Sequence, residues 1–103
     1  MKNKLEKMKD NNTFEKTIMM LKKSFESEIT EEEYYILLYL LYDYMCDENL
    51  AIVMETLTKK SKWVIINDIA KAINMEQSAK TILAVEERLN MNGFEKWKLE
   101  EEV

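Results

Sequence analysis

The stretch that decides the predicted fold runs over residues 64–94 and reads VIINDIAKAINMEQSAKTILAVEERLNMNGF. The β-branched run at its start, together with the preceding tryptophan, predicts a short strand over 63–66. Asn67 follows that strand as the expected cap of a helix over 68–73. Asn74 is expected to end this helix in the left-handed conformation, which asparagine adopts more readily than most residues.

A longer helix is predicted after the turn, over 78–92, and Gly93 is expected to terminate it. Apolar and polar residues then alternate loosely over 94–99, which predicts a second strand. Trp97 on this strand is expected to pack against Trp63 on the first one. The apolar residues expected to face the core of this unit are Ile69, Ile73, Met75, Ile82, Val85 and Leu89.

The residues before this stretch predict three further helices. Apolar residues recur at helical spacing over 14–28. Thr30 and Glu33 have the spacing of a capping box, which predicts the start of a helix over 31–46. A third helix is expected over 47–60, either separate from the second or continuous with it through a kink.

The helix predicted over 31–46 is apolar around nearly its whole circumference, so it must be covered on more than one side. A chain of 103 residues offers little surface for that purpose. We therefore expect this helix to form part of a homodimer interface, where tyrosine is favoured. The simpler alternative is a buried core helix. The expected interface residues are Tyr35, Leu38, Tyr39 and Tyr42.

Charge is divided into blocks along the chain, although the net charge is only −5. Residues 1–25 carry a net charge of +4, and residues 1–12 among them are predicted to form a flexible basic arm. Residues 26–58 carry −9, residues 59–98 carry +3, and residues 99–103 carry −3. Such blocks act separately when they lie on different faces of a fold, because salt screens exposed charges over about 8–10 Å.

The composition argues against an enzyme and against a bound cofactor. Histidine is absent, and there is one cysteine (Cys46) and one glycine (Gly93). These counts exclude histidine-based triads, the usual metal sites and glycine-rich phosphate loops. The apolar run at 34–42 is far shorter than the roughly 20 residues that a bilayer requires, so a cytoplasmic protein without membrane contact is expected.

Residues 64–94 resemble the helix-turn-helix core of the winged-helix superfamily, and the similarity extends over about 48–99. The resemblance implies a mainly α fold: a winged helix-turn-helix with extra N-terminal helices and a short two-stranded β ribbon. The chain is expected to form a single domain, 1–103. Within it, 13–46 would serve dimerisation and 47–103 would form the winged unit.

The resemblance also implies a DNA-binding surface on the second helix and the wing. In such proteins the recognition helix reads base edges in the major groove, while its flanks hold phosphates. A dimer would bind repeated or palindromic double-stranded DNA. Its role would be transcriptional repression or, as in TubR-like partition proteins, plasmid or phage DNA partition with a tubulin-like GTPase partner. The implied DNA-binding residues are Gln77, Ser78, Lys80, Thr81, Arg88, Lys62, Lys96 and Lys98.

An alternative from another functional class rests on the acidic stretch at 26–55. A phage-encoded interaction protein could use this stretch to inhibit a host protein or to mimic nucleic acid. Under this alternative, neutralising Glu31, Glu32 and Glu33 abolishes activity, whereas a DNA-binding protein is unaffected or binds DNA more tightly.

Overall fold

The computed structural model describes residues 14–101, and the regular secondary structure in this part of the chain is all helical. The basic arm predicted over 1–12 lies outside the described residues. Among the helices, α3 packs on α4, α2 packs on both α4 and α5, and α5 packs on α6. The six helices span 14–24 (α1), Glu31–Leu41 (α2), Asp47–Thr58 (α3), Lys62–Asn74 (α4), Ala79–Met91 (α5) and Phe94–Glu101 (α6).

Capping side chains mark the starts of three of these helices. The predicted capping box at α2 is confirmed: the Glu33 amide donates to Thr30 Oγ1 at 3.1 Å, and the Thr30 amide donates to Glu33 Oε1 at 3.0 Å. Ser61 and Ser78 accept hydrogen bonds from the first turns of α4 and α5. These bonds satisfy amides that have no partner within the helix.

One hydrophobic core connects all the helices and is centred on α2. The helix buries most of its circumference within a single chain, as the simpler alternative for this segment predicts. The fully buried core side chains are Leu21, Ile36, Leu37, Leu38, Leu41, Leu50, Val53, Met54, Ile65 and Leu89.

The strand predicted over 63–66 is wrong, because these residues form the first turns of α4. The Ser61 cap precedes the β-branched run and starts a helix there. Ile65, Ile69 and Ala72 then fall on one face at helical spacing and are buried against α2 and α3. Their burial outweighs the weak strand preference of valine and isoleucine.

The second strand, predicted over 94–99, is also wrong, and with it the β ribbon of a winged helix. Phe94 and Trp97 are spaced by three residues and both face the core, as the period of α6 requires. The predicted contact between the two tryptophans is absent as well. Trp97 is buried, whereas Trp63 is 75 % exposed on α4. The mainly α class fits, but the described chain contains no strand.

The turn between α4 and α5 differs in detail from the prediction. Asn67 lies inside α4 instead of capping it, and Asn74 is its last helical residue instead of a left-handed one. Met75 continues in an extended conformation. The helix α4 begins six residues earlier than expected, and its buried face is formed by Ile65, Asp68, Ile69 and Ala72. Ile73 and Met75, which were expected to face the core, are 40 % and 44 % exposed.

Gly93 joins α5 to α6 with a φ of +95°, so its predicted role in ending the second helix is confirmed. A Cβ at this position would meet no atom within 4 Å, so backbone conformation alone opposes a side chain. We expect Gly93→Ala to lower the free energy of unfolding by about 1 kcal/mol. Urea titration measures this change. Gly93→Asn should recover part of the loss, and an equal loss in both variants would contradict a conformational cause.

Candidate nucleic-acid interface

The polar residues predicted to read DNA from α5 are largely bound within the chain. Gln77 Nε2 donates to the carbonyl oxygens of Ala72 and Tyr35, at 3.2 and 3.4 Å. Ser78 caps α5 by accepting from the Thr81 amide at 3.3 Å. These two side chains therefore shape the turn between α4 and α5 and hold it against α2.

The acidic first turn of α2 engages two further predicted DNA-binding residues. Thr81 Oγ1 donates to Glu32 at 3.2 Å, and Arg88 forms an ion pair with Glu33 at 3.0 Å. The Arg88 guanidinium also lies 5.2 Å from the centre of the Phe25 ring. Both side chains connect helices of the same molecule, which reduces what α5 offers to a partner.

The remaining lysines predicted on α5 and α6 do not form a basic surface. Lys80 and Lys96 are exposed, while Lys98 is three-quarters buried and forms an ion pair with Glu95 at 3.1 Å. Exposed Glu76 and Glu87 share this region with them. The outer side of α5 and α6 therefore carries mixed charge.

The outer face of α4 has a different character. Trp63, Asn67, Ala70 and Asn74 recur at spacings of four, three and four, and all are exposed. Helical periodicity places them in one row along the helix. Trp63 is 75 % exposed, an unusually large exposure for this residue.

Lysines accompany this row, and no exposed acid lies among residues 59–75. Lys62 and Lys71 lie on α4, and Lys59 and Lys60 directly precede it. The one acid between residues 59 and 75 is Asp68, which is only 5 % exposed. The face composed of Lys62, Trp63, Asn67, Ala70, Lys71 and Asn74 is called the α4 face below.

The buried side of α4 explains why Asp68 is absent from that face. Its carboxylate accepts a hydrogen bond from the Tyr34 hydroxyl at 2.7 Å and a longer one from Tyr35 at 3.4 Å. Lys71 Nζ lies 3.9 Å away. Burial, the hydrogen bond to Asp68 and the charge of that carboxylate raise the pKa of the Tyr34 hydroxyl well above its ordinary value. The carboxylate is thus held inside by two hydroxyl donors.

The start of α4 brings lysines and two carboxylates together. Lys62 occupies the first helical turn, where the helix dipole favours acids and where α2 has three glutamates. Lys59 adopts a left-handed conformation with a φ of +67°, and Lys60 pairs with Glu31 at 2.9 Å. The Lys62 amide already donates to the exposed Glu55 carboxylate at 3.3 Å, so an acid of the chain occupies this helix N-terminus.

The four residues predicted for a homodimer interface differ in accessibility. Leu38 is fully buried within one chain, so it is not available to a second copy. Tyr35 and Tyr42 are half-buried, and Tyr39 is 38 % exposed. The homodimer itself stays a prediction.

Within residues 14–101, every helix is too short or too polar to span a bilayer. The same part of the chain contains no group of three or more acidic or cysteine side chains placed to hold a metal ion.

Sequence reasoning identified Lys62 but missed Trp63, Asn67, Lys71 and Asn74 as members of one surface. If Ser61 had been interpreted as a helix cap, helical periodicity would have placed these residues on one face of α4. Comparison with protein-family models, curated proteins and solved structures finds no match to this chain.

Proposed function

We propose that this chain is a non-catalytic protein that binds double-stranded DNA through the α4 face. The observation that carries the proposal is the composition of that face: it has lysine, asparagine and tryptophan side chains, and the one acid among residues 59–75, Asp68, is buried. The exposed Glu55 reaches the N-terminal end of the face, where it accepts from the Lys62 amide. The proposal does not depend on the winged-helix resemblance, whose β ribbon is absent from the described residues.

The chemistry of the α4 face suits the major groove, which accommodates an α-helix. Asn67 can donate to and accept from an adenine edge. The Asn74 amide nitrogen already donates to the Ala70 carbonyl oxygen at 2.9 Å, so Asn74 contributes mainly its side-chain oxygen. Lys62 and Lys71 on the flanks can neutralise phosphates, and such contacts make affinity depend on salt. The acidic charge of α2 lies elsewhere and is partly neutralised by Lys60 and Arg88.

The test compares two pairs of lysines by fluorescence anisotropy, using duplex DNA that flanks the gene, at two salt concentrations. Lys62→Ala with Lys71→Ala should weaken binding by roughly tenfold for each lost phosphate contact and reduce the salt slope by about two. The matched control, Lys80→Ala with Lys96→Ala, should bind like the parent protein.

Two other outcomes of that experiment would contradict the proposal. If the control pair weakens binding and the α4 pair does not, DNA binding belongs to α5 and α6, and the α4 face is the wrong surface. If the parent protein shows no salt-dependent binding to any duplex, the DNA-binding proposal fails. Circular dichroism of each variant checks that the helices are retained.

A second candidate is a protein-binding role for the same side of the molecule. Trp63, Val64 and Ile73 are exposed there, and tryptophan is enriched at the energetic centres of protein interfaces. A shallow depression lined by Tyr35, Lys71, Asn74 and Met75 continues this surface. Under this candidate Trp63→Ala abolishes partner binding, and binding depends little on salt.

The acidic alternative receives less support from the structure. Glu31, Glu32 and Glu33 are bound to Lys60, Thr81 and Arg88 respectively. Neutralising these glutamates would therefore remove contacts that hold α2 to its neighbours. A loss of activity in such a variant would have to be separated from a loss of stability.

A further inference from the structure

A pocket of about 340 Å³ lies between the C-terminal end of α2, α5 and α6, away from the α4 face. Three tyrosines and a phenylalanine contribute aromatic rings to it, and two carboxylates lie among them. The lining residues that matter for its chemistry are Tyr39, Tyr42, Tyr44, Phe94, Asp43 and Glu86.

Contacts with buried core residues hold two of the aromatic rings of the pocket in place. Tyr44 meets Phe94 edge-on with ring centres 6.3 Å apart, and Phe94 stacks on Trp97 at 5.7 Å. Phe94 and Trp97 are 2 % and 4 % exposed, so they are fixed by the core. The rings are therefore held in place before any ligand arrives.

The ammonium group of Lys98 already lies against these aromatic rings. Lys98 Nζ lies 4.8 Å from the centre of the Phe94 ring and 6.0 Å from that of Tyr44. The hydrogen bond to Glu95 raises the pKa of the Lys98 ammonium above its ordinary value, and the charges of Glu95 and Glu86 add to this effect. Both the ring faces and the local field therefore favour positive charge.

We propose that this pocket binds a guanidinium or primary ammonium group, as presented by an arginine or lysine side chain of a partner protein. Aromatic ring faces attract such cations, and the attraction increases when water is excluded. Asp43 and Glu86 provide carboxylates that can accept hydrogen bonds from the same group. The site shares none of the residues of the α4 face, so either proposal can fail without the other.

The probe is N-acetyl-arginine amide, titrated into the full chain and followed by ¹H–¹⁵N NMR. The dissociation constant should be roughly millimolar, as expected for a ligand of this size. Shifts should concentrate at Tyr39, Tyr44, Glu86 and Phe94. The citrulline analogue, which has the same shape without the charge, should not bind.

Two sets of variants distinguish binding in this pocket from nonspecific attraction of a cation to an acidic protein. Glu86→Gln should weaken binding by roughly tenfold, whereas Glu87→Gln, the exposed neighbour on α5, should not. Lys98→Met removes a competing cation and should tighten binding. Retained chemical shifts elsewhere in the spectrum show that each variant is folded.

The remaining outcomes overturn the proposal. Equal binding of the arginine and citrulline probes would show that charge is not recognised. Equal weakening by Glu86→Gln and Glu87→Gln would show diffuse electrostatic attraction without a pocket. A lysine amide and tetramethylammonium, tested in parallel, distinguish hydrogen-bonded recognition from attraction to the ring faces alone; binding of tetramethylammonium alone would contradict the role given to the carboxylates.

Discussion

Replacing Trp97 by alanine is expected to lower the free energy of unfolding by about 3–5 kcal/mol, the usual cost of truncating a buried tryptophan. The Trp97 ring is 4 % exposed and packs against Phe94 and Tyr44. Its Nε1 donates to Thr17 Oγ1 at 2.7 Å, which fastens α6 to α1. The substitution therefore removes a large apolar volume and leaves the buried Thr17 hydroxyl without this bond.

The matched control is Trp63→Ala on the α4 face. Trp63 is 75 % exposed, so its loss should change the free energy of unfolding by no more than about 0.5 kcal/mol. Urea titration followed by circular dichroism measures both variants. Similar large losses in both would favour the two tryptophans packing against each other across a β ribbon, and would contradict the helical arrangement of α4 and α6.

Replacing Tyr34 by phenylalanine is expected to lower the free energy of unfolding by about 1–3 kcal/mol at neutral pH. The change removes the shortest hydrogen bond to the buried Asp68 carboxylate, 2.7 Å in length. Adding Asp68→Ala should cost less than the sum of the single changes, because the two groups act as a pair. Additive losses in this double-mutant cycle would show that the hydrogen bond contributes nothing.

Stability at alkaline pH provides a second readout of the same pair. The pKa of Tyr34 is raised in the folded state, first by burial and then by Asp68, whereas in the unfolded chain it is about 10. The resulting stabilisation is fully present below about pH 10 and is lost as the pH rises above it toward the folded-state value. Tyr34→Phe should therefore lose less stability between pH 9 and about pH 11 than the parent protein. An identical alkaline decline in both proteins would contradict the burial of this hydroxyl. The pKa of Tyr35 is also raised by burial and by Asp68, so part of the decline should persist in the variant.

Features that depend only on neighbouring residues could be predicted from the sequence. Thr30 and Glu33 specify the start of α2 because both partners of the capping box lie within one turn. Gly93 specifies the end of the second predicted helix because few other residues adopt its φ cheaply. The mainly α class, which the resemblance implied, also agrees with a chain that has no proline and one glycine. The strongly apolar pattern of α2 also predicted that the helix must be covered on several sides.

Where local preference was weak, the choice between helix and strand depended on packing in the folded chain. The run at 63–66 favours a strand by composition, yet Ile65 and Ile69 gain more by burial against α2 and α3 as one helical face. With that face buried, helical periodicity leaves Trp63, Asn67 and Asn74 on the exposed side of α4. The pairing of Arg88 with Glu33, 55 residues apart, likewise depends on how α5 packs on α2. Contacts between distant residues arise from packing, and packing is a property of the whole chain that no short pattern contains.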